Sequence, residues 1–580
     1  MIAAKAGDNM NEKQEAYLSQ RLQLNDQAES DARSRLYMVP KRVVWETNEP
    51  TGYVQNSAAL LAHRSGQISL HSDSLCAFHT GKTTASILLD FGRELHGGIE
   101  FSVQQIEGAQ SAQLRVRFGE SASEAMSELG GQTHATNDHA IRDCTMRVQE
   151  LSMNPIGETG FRFVRIDLLT PETTVFLKTI KAILLFRDIP YLGSFQCSDP
   201  LLNQIWNVGA YTVHLNMQQY IWDGIKRDRL VWIGDLHPEI ATIQTVFGDQ
   251  KIIRDSLDFV VADTPVGKWM NDIPSYSMWW IIIQHDYFMQ FGNIAYLKKQ
   301  LPYMKQLCRM LSEQIGNDGQ DITPQMRFVD WPTKGNKDAV DTGLQALHVL
   351  AMQCAMHLFQ LCGEDEAAVQ CQTAYAALHK WPVHLVQAKQ ANALAVWAGL
   401  LNAKEANEKS LAVGGSEGLS AFMAYYILQA RAQTGDVSGA LDTLREYWGG
   451  MLRLGATTFW EDFDVQWLKH AAPIDRLPLP GEIDVHGSYG GHCYRGFRHS
   501  LCHGWSSGAT SWLTRYILGI EILEPGCRKI RIQPNLCGLQ WVRGSYPTPL
   551  GVLTAEHRAR EDGTVQTTIH APAGVKVLTS

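Results

Sequence analysis

The chain has 580 residues, of which 45% are hydrophobic and 19% are charged, and its formal net charge is −9 at pH 7. This composition is typical of a globular protein, and at roughly 150 residues per domain the length predicts two to four domains. The 51 Lys and Arg residues form no dense cluster, and no apolar run is long enough to span a bilayer, so we expect neither nucleic acid nor a membrane as a partner.

Residues 1–36 are polar and rich in Gln, Glu and Asp, and we predict a helical or loose N-terminal arm there. Between residues 37 and 197 the hydrophobic pattern changes to a period of two, in segments separated by Gly, Asn and Pro turns. These segments include TTASILLDFG, AQLRVRFGES and FRFVRIDLL. Many short strands with no long helix between them predict an N-terminal β-sandwich.

Residues 198–518 are predicted to be mainly helical, with roughly ten to twelve segments, several of them apolar on most faces. That number is typical of a closed α-barrel. A helical-repeat solenoid is the alternative, but no motif of about 34 or 40 residues recurs. Residues 519–580 return to the strand pattern, in segments such as KIRIQPNL and LQWVRGSYPT, and predict a small C-terminal β-sandwich.

The N-terminus has no apolar run typical of a secretory signal, and the eleven cysteines contain no CxxC pair. We therefore expect reduced thiols and a cytoplasmic protein. No P-loop, HExxH, GxSxG or GxGxxG after a strand is present, so no motif calls for a cofactor. The histidines and cysteines in GGHCYRGFRHSLCHGW have no upstream CxxC partner, which argues against a zinc site there.

One stretch, WDGIKRDRLVWIGD at residues 222–235, concentrates three carboxylates, three cations and two tryptophans within fourteen residues. Charges in a buried segment must pair, because an unpaired buried charge is costly. A cleft that binds a polar, non-planar ligand, by contrast, uses aromatic walls, carboxylates and a guanidinium together. The alternative is an ion-paired connector between helices, in which Asp235 only caps the helix that follows.

Three further loops of the helical region combine a tryptophan with an acid or a histidine: GATTFWEDFD, FVDWP and SLCHGWS. Each lies at an end of a helical segment, where loops over a barrel mouth would project. Hydrolysis of a glycosidic bond needs two carboxyl groups that face each other across a sugar-sized cleft. One is protonated to donate to the leaving oxygen, and the other is ionised to activate water. These loops and the 222–235 stretch together favour a sugar-binding cleft.

WDGIKRDRLVWIGD, GATTFWEDF and SLCHGW together resemble the bacterial α-L-rhamnosidase family, the six-hairpin glycosidases of glycoside hydrolase family 78. The N-terminal segments LDFGRELHGGIEF and VRFGESASEA and the C-terminal segment GCRKIRIQPNL are similar to the flanking β-domains of that family. The resemblance covers nearly everything after about residue 37. It implies an (α/α)6 barrel flanked by an N-terminal β-sandwich and a small C-terminal β-sandwich.

The resemblance implies an inverting hydrolase that releases terminal α-L-rhamnose, with Asp228 as the general acid and Glu461 as the general base. Because the chain is shorter than many family members and shows no secretory signal, we expect the substrate to be a small oligosaccharide or glycoside. The two carboxyl groups should then stand about 6.5–9.5 Å apart. No metal and no cofactor are implied. The residues expected to bind the rhamnose-containing substrate are Asp223, Arg227, Trp232, Asp235, Asp330, Trp331, Trp460 and His503.

The usual acid of the family is a glutamate, so the shorter Asp228 is a departure, and Asp235 and Glu239 are the alternative proton donors. Two other functions stay open. A rhamnosyl-uronate lyase would use the cations of the KRDR segment to bind the uronate carboxylate, whereas a non-catalytic relative would bind rhamnose without turnover. A homodimer is also compatible with the sequence.

Overall fold

The computed structural model describes residues 31–492 and 494–579. The predicted N-terminal arm lies mostly outside these ranges, and Cys493 lies outside them as well. Within the described ranges, no helix is both long enough and apolar enough to cross a membrane.

The N-terminal region consists of strands β1 (Ser34–Met38), β2 (Arg42–Glu46), β3 (Asn48–Glu49), β4 (Gly52–Gln55), β5 (Cys76–Thr80), β6 (Ala85–Glu107), β7 (Ala112–Gly119), β8 (Asp143–Val148), β9 (Ser152–Leu168) and β10 (Thr174–Phe186). They form an antiparallel sheet in the order β3-β4-β5-β10-β6-β9-β7-β8, with β1 paired to β10 and β2 paired to β6. Gly97, at φ +141°, lets β6 approach β10 closely, because a Cβ there would lie 2.0 Å from the carbonyl oxygen of Ile183. The core of this sheet includes Phe101, Phe118 and Phe161.

In the described part of the chain, the α-helices of nine or more residues are α1 (Pro200–Asn216), α2 (Leu236–Phe247), α3 (Lys251–Asp263), α4 (Pro274–Phe291), α5 (Ile294–Ser312), α6 (Lys337–Cys362), α7 (Asp365–Leu378), α8 (Lys389–Trp397), α9 (Ala424–Gln433) and α10 (Val437–Arg453). Helix α4 is apolar on most faces, and both Trp279 and Trp280 are buried. Such a helix must lie inside the molecule, because it has no polar face to turn to solvent.

The helices form two layers. Helices α2, α4, α6, α8 and α9 pack one after another around an inner ring, and the segment 504–517 closes the ring by packing against α9 and α2. The other helices and the short segment 403–411 lie outside the inner ring, and each hairpin of the barrel joins one inner and one outer element. This arrangement is the predicted (α/α)6 barrel.

The remaining strands are β11 (Ser194–Cys197), β12 (Ala471–Ala472), β13 (Ile483–Asp484), β14 (Ile520–Glu524), β15 (Lys529–Ile532), β16 (Trp541–Thr548), β17 (Gly551–Ala559), β18 (Val565–His570) and β19 (Lys576–Thr579). β11 precedes the barrel in the chain but pairs with β16, in the sheet β11-β16-β17-β18. A second C-terminal sheet has the order β14-β15-β19. The predicted fold class, a helical barrel between an N-terminal and a C-terminal β-region, is confirmed.

Candidate active site

The segment 222–235 runs between α1 and α2 and contacts both the barrel and the N-terminal sheet. The Gly504 N–H donates to the carbonyl oxygen of Asp223 at 2.8 Å, which attaches the segment to the last inner element of the barrel. Ile225 is buried in the core of the N-terminal sheet. Asp228 has a φ of +55°, so the chain reverses direction there. The turn that carries the predicted acid is thereby held between the barrel and the N-terminal sheet.

A cavity of about 280 Å³ lies beside this segment, at the end of the barrel where α2 and α4 begin. Its lining combines carboxylates, guanidinium groups and aromatic rings from distant parts of the chain. The lining residues are Asp223, Arg227, Asp228, Trp232, Asp235, Ile273, Tyr276, Met326, Phe328, Trp331, Tyr494, Arg498, His503 and Trp505. Most of the predicted site residues are therefore gathered around one cavity.

Arg227 joins the two carboxylates predicted to act as acid and base. Its Nη2 donates to Oε1 of Glu461 at 2.7 Å, and its Nη1 donates to Oδ1 of Asp228 at 3.3 Å. The guanidinium packs over the ring of Tyr494, with Cζ 4.7 Å from the ring centroid. One planar cation thus contacts both carboxylates through two different N–H groups.

Asp228 has two further neighbours. Trp232 Nε1 donates to its Oδ2 at 3.1 Å, and Nδ1 of His139 lies 3.5 Å from its Oδ1. The Asp228 side chain is 19% exposed, which leaves it accessible from the cavity. His139 lies in the loop between β7 and β8, and sequence reasoning missed it because nothing near it in the chain marks a site.

Glu461 lies directly behind the cavity lining. The backbone N–H of Ser500 donates to its Oε2 at 3.0 Å, and Nε2 of the lining residue His503 is 3.5 Å from its Oε1. Trp505 Nε1 donates to the carbonyl oxygen of Glu461 at 3.0 Å, which fixes the backbone of this loop. Burial raises the pKa of Glu461, and the charge of Arg227 opposes that shift.

His503 lies among three carboxyl groups. Its Nε2 is 3.5 Å from Glu461, 3.7 Å from Asp223 and 3.9 Å from Asp235. Burial lowers the pKa of His503 well below its usual value, so the ring is neutral at pH 7. Burial also raises the pKa of Asp223 and of Asp235 well above the usual value for aspartate. Burial thus disfavours the charged form of all three groups at the deep end of the cavity, an environment that suits an uncharged polar ligand.

Asp235 immediately precedes α2, at a position where an acid often caps a helix. Its side chain makes no capping hydrogen bond, and instead Oδ1 accepts a hydrogen bond from the Tyr276 hydroxyl at 2.7 Å. Asp223 is held in a similar way, since the Leu230 N–H donates to its Oδ1 at 2.9 Å. These contacts argue against a plain ion-paired connector and aim both acids at the cavity.

The other predicted residues differ in their positions. Asp330 lies behind the lining, where it accepts hydrogen bonds from the Trp331 N–H at 2.9 Å and from the Ser420 hydroxyl. Burial raises the pKa of Asp330 to about 7. Trp331 forms part of the cavity wall, beside the ring of Phe328 at 5.1 Å. Trp460 is 1% exposed and does not belong to the lining, so its role in binding stays a prediction.

The cations of the KRDR segment are engaged within the protein. Nζ of Lys226 lies 2.9 Å from Oε2 of Glu120, and Arg229 Nη1 donates to the carbonyl oxygen of Glu158 at 2.9 Å. Arg227 contacts the two candidate catalytic acids, as described above. These cations were the sequence feature that supported the lyase alternative. In the structure their contacts hold the segment itself in place.

Among the described residues, one group of side chains has the spacing of metal ligands: Glu120, Glu124 and His486. The Lys226 ammonium lies within this group, 2.9 Å from Glu120 and 3.5 Å from Nε2 of His486. A side chain therefore already supplies the positive charge there. In the His- and Cys-rich segment, Nε2 of His499 accepts a backbone N–H at 2.8 Å.

Comparison with known proteins shows which protein family the chain matches. The family model of the bacterial α-L-rhamnosidase 6 hairpin glycosidase domain matches residues 190–517, and that of the bacterial α-L-rhamnosidase C-terminal domain matches residues 519–578. An α-L-rhamnosidase of Formosa agariphila is 26% identical over 152 residues, which are 26% of this chain and 16% of that protein.

Solved structures share the fold. A family 78 rhamnosidase of Bacillus sp. GL1 has a TM-score of 0.73 and 21% identity, over 90% of this chain and 55% of that chain. A rhamnosidase from Klebsiella oxytoca with rhamnose bound has a TM-score of 0.63 and 20% identity, over 84% of this chain and 96% of that chain. The chain thus spans 16% of its curated relative and 55% of the Bacillus protein.

Proposed function

Because the chain belongs to the bacterial α-L-rhamnosidase six-hairpin glycosidase family, we propose that it is an inverting glycoside hydrolase that releases terminal α-L-rhamnose from a small oligosaccharide or glycoside. The observation that carries the proposal is the contact of one guanidinium, Arg227, with two carboxylates beside a sugar-sized cavity. Asp228 reaches the cavity directly, and Glu461 lies immediately behind His503.

In this mechanism Asp228 donates a proton to the glycosidic oxygen while the bond between that oxygen and the anomeric carbon breaks. Glu461 accepts a proton from a water molecule that attacks the anomeric carbon from the opposite face. Burial raises the pKa of Glu461, and the charge of Arg227 opposes that rise, which is the direction that a general base needs. A separation of about 6.5–9.5 Å between the two carboxyl groups is part of this proposal.

The remaining lining residues would bind the sugar. Asp223, Asp235 and His503 present hydrogen-bonding groups at the deep end of the cavity, and the rings of Trp232 and Trp331 form apolar walls. A 6-deoxy sugar has both kinds of surface, since its ring hydroxyls need polar partners and its methyl group needs apolar ones. The same contacts suit rhamnose better than a charged sugar.

Asp235 is the second candidate for the acid. Burial raises its pKa well above the usual value, which favours the protonated form that a general acid needs, and it lines the cavity. Asp228 also lines the cavity, where it accepts hydrogen bonds from Arg227 at 3.3 Å and from Trp232 at 3.1 Å. The two assignments predict different behaviour of the corresponding asparagine variants.

Asp228→Asn and Glu461→Gln should be assayed on an aryl α-L-rhamnoside with a good leaving group and on a rhamnosyl disaccharide with a poor one. We expect Asp228→Asn to lower disaccharide hydrolysis by about 10²–10⁴-fold and aryl rhamnoside hydrolysis much less, because an activated leaving group needs little protonation. Glu461→Gln should impair both substrates alike. NMR of the first-formed sugar should show the inverted anomer.

Asp464→Asn is the matched control, since Asp464 is an exposed acid of the same loop whose capping of the Gln466 N–H an asparagine preserves. It should retain wild-type rates. Full disaccharide activity in Asp228→Asn would remove that residue from the mechanism, and a selective loss in Asp235→Asn would transfer the acid role to Asp235. Saturable rhamnose binding without turnover of any rhamnoside by the wild type would contradict an enzyme altogether.

A further inference from the structure

A second cavity, of about 260 Å³, lies towards the other end of the barrel. The candidate active site is at the end where α2 and α4 begin, with Asp235 and Tyr276 in its lining. The second cavity is lined by later turns of the same two helices, including Gln244, and by β14 of the C-terminal region. Between the two cavities the barrel is filled by packed rings such as those of Trp279 and Tyr426, whose centroids are 5.0 Å apart. The two cavities are therefore separate.

The second cavity is lined by polar groups that either remain exposed or lack a hydrogen-bond partner within the described residues. Oδ2 of Asp286 lies 3.1 Å from Nε2 of His237, and its Oδ1 lies 2.9 Å from Nδ1 of His285, yet the side chain is 46% exposed. Gln244 is only 6% exposed, and its Nε2 has no hydrogen-bond partner among the described residues. A buried amide left without a partner costs about 1–3 kcal/mol, so a ligand that accepts its N–H groups would stabilise the site.

Arg515 supplies a cation to the same lining. Its guanidinium makes a 3.5 Å contact with Oε1 of Gln429 and packs over the ring of Tyr516 at 5.4 Å. In residues 31–492 and 494–579, no carboxylate lies within ion-pair distance of it. A guanidinium has five N–H donors, and Arg515 is exposed and lines the cavity, so the donors that do not contact Gln429 are open to the cavity and to solvent.

The charges and hydrogen-bonding groups of the lining indicate which kind of ligand the cavity would bind. The lining contains the carboxylates of Asp286 and Glu521, of which Glu521 is paired with Arg531 at 2.8 Å. It also contains the Arg515 guanidinium and His285; burial alone would lower the pKa of His285, but the neighbouring Cys354 and Asp286 raise it to about 11. The charges therefore nearly balance, and a neutral ligand is favoured over a cation or an anion.

A neutral ligand with several hydroxyls can accept from Arg515, donate to Asp286 and pack against the ring of Tyr425. The volume is below the roughly 300–1,000 Å³ of sites for drug-sized ligands, which limits the occupant to about one sugar ring. We propose that this cavity is a second, non-catalytic binding site for a single neutral monosaccharide unit.

Crystals of the full chain soaked separately with L-rhamnose, D-glucose and D-galactose test the proposal directly. We expect one of these sugars to occupy the cavity beside Arg515 and Asp286. In solution, calorimetric binding of that sugar should weaken at least about tenfold in Arg515→Met, the equivalent of about 1.4 kcal/mol. Gln244→Met, which keeps the side-chain length and removes the amide, should weaken binding in the same direction.

Arg558→Met is the matched control, because Arg558 pairs with Glu556 at 2.6 Å and neither residue lines the cavity. Hydrolysis of an aryl rhamnoside should be unchanged in all three variants, and their melting temperatures should show that they are folded. An empty cavity with all three sugars would overturn the proposal. So would wild-type affinity in both Arg515→Met and Gln244→Met. Neither result depends on whether the first cavity hydrolyses rhamnosides.

Discussion

At the scale of single residues, Arg227 explains how two acids close in space can have different environments. Glu461 is 3% exposed and would bind a proton tightly if burial acted alone, since burial disfavours the charged form. The charge-assisted hydrogen bond from Arg227 at 2.7 Å offsets part of that effect. Asp228 meets the other N–H group of the same guanidinium but remains partly exposed. Glu461, the proposed general base, thus lies closer to the Arg227 guanidinium than Asp228 does.

Arg227→Gln should therefore change the pH dependence as well as the rate. Without the cation the pKa of Glu461 rises further, so the base is ionised only at higher pH. The acidic limb of kcat/KM should move upward by roughly 1–3 pH units, the usual effect of a neighbouring opposite charge. Arg229→Gln is the control, because Arg229 contacts the Glu158 carbonyl oxygen and not the acids, and its limb should stay in place. An unshifted limb in Arg227→Gln would mean that Glu461 is not the titrating base.

At the scale of elements, α2 begins beside the site and carries an acid with no partner. Glu239 is fully buried, and neither carboxylate oxygen has a hydrogen-bond partner among the described residues. A Cβ at residue 504 would lie 1.9 Å from its Oε1, so Gly504 is required for α2 to pack against the segment 504–517. Burial raises the pKa of Glu239 well above its usual value. The folded state therefore binds this proton more tightly than the unfolded state does.

This proton has a consequence for stability. When the native state binds more protons than the unfolded state, the free energy of unfolding falls as pH rises through the interval between the two pKa values. Glu239→Gln cannot ionise, so we expect it to be more stable than the wild type at pH 8, by about 1 kcal/mol or more, and similar at pH 4. Urea unfolding at both pH values measures the difference. The exposed Glu366→Gln should show none, and a Gln variant less stable at pH 8 would contradict the argument.

Elements also show what could be predicted from the sequence. The change from a period of two to helical periodicity near residue 198 predicts the barrel, because the period reflects which faces of each element are buried. Asp223, Asp228, Trp232 and Asp235 could be found because they are close together in the chain. The pairing of β11 with β16 and the contact of His139 with Asp228 could not, since each joins segments far apart in the chain and neither leaves a local pattern.

At the scale of the whole molecule, the N-terminal sheet is part of the site. Ile225 and Cys502, from the two segments that meet at Asp223, are buried in the same apolar core as the strands of the sheet. Lys226 reaches into a buried pair of acids at the edge of the sheet, 2.9 Å from Glu120 and 3.3 Å from Glu124. The sheet therefore holds the segment 222–235 by the apolar burial of Ile225 and by the ion pair of the adjacent Lys226. Barrel and sheet should unfold together, in a single transition.

Lys226→Met tests this coupling. Removing one partner of a buried ion pair costs about 3–5 kcal/mol, because the remaining charges are left without compensation. Burial raises the pKa of Glu120 to about 7, and Lys226 opposes that rise, so in the variant this carboxyl should keep its proton to still higher pH. A raised native pKa makes stability fall as pH increases, so the loss in Lys226→Met should be large at pH 8 and smaller at pH 5. Calorimetry should show one transition at both pH values.

The surface variant Lys251→Met should stay within about 0.5 kcal/mol of the wild type, since Lys251 forms only an exposed i,i+4 pair. Two separate transitions, or an equal loss at both pH values, would show that the sheet and the barrel are not coupled through Lys226.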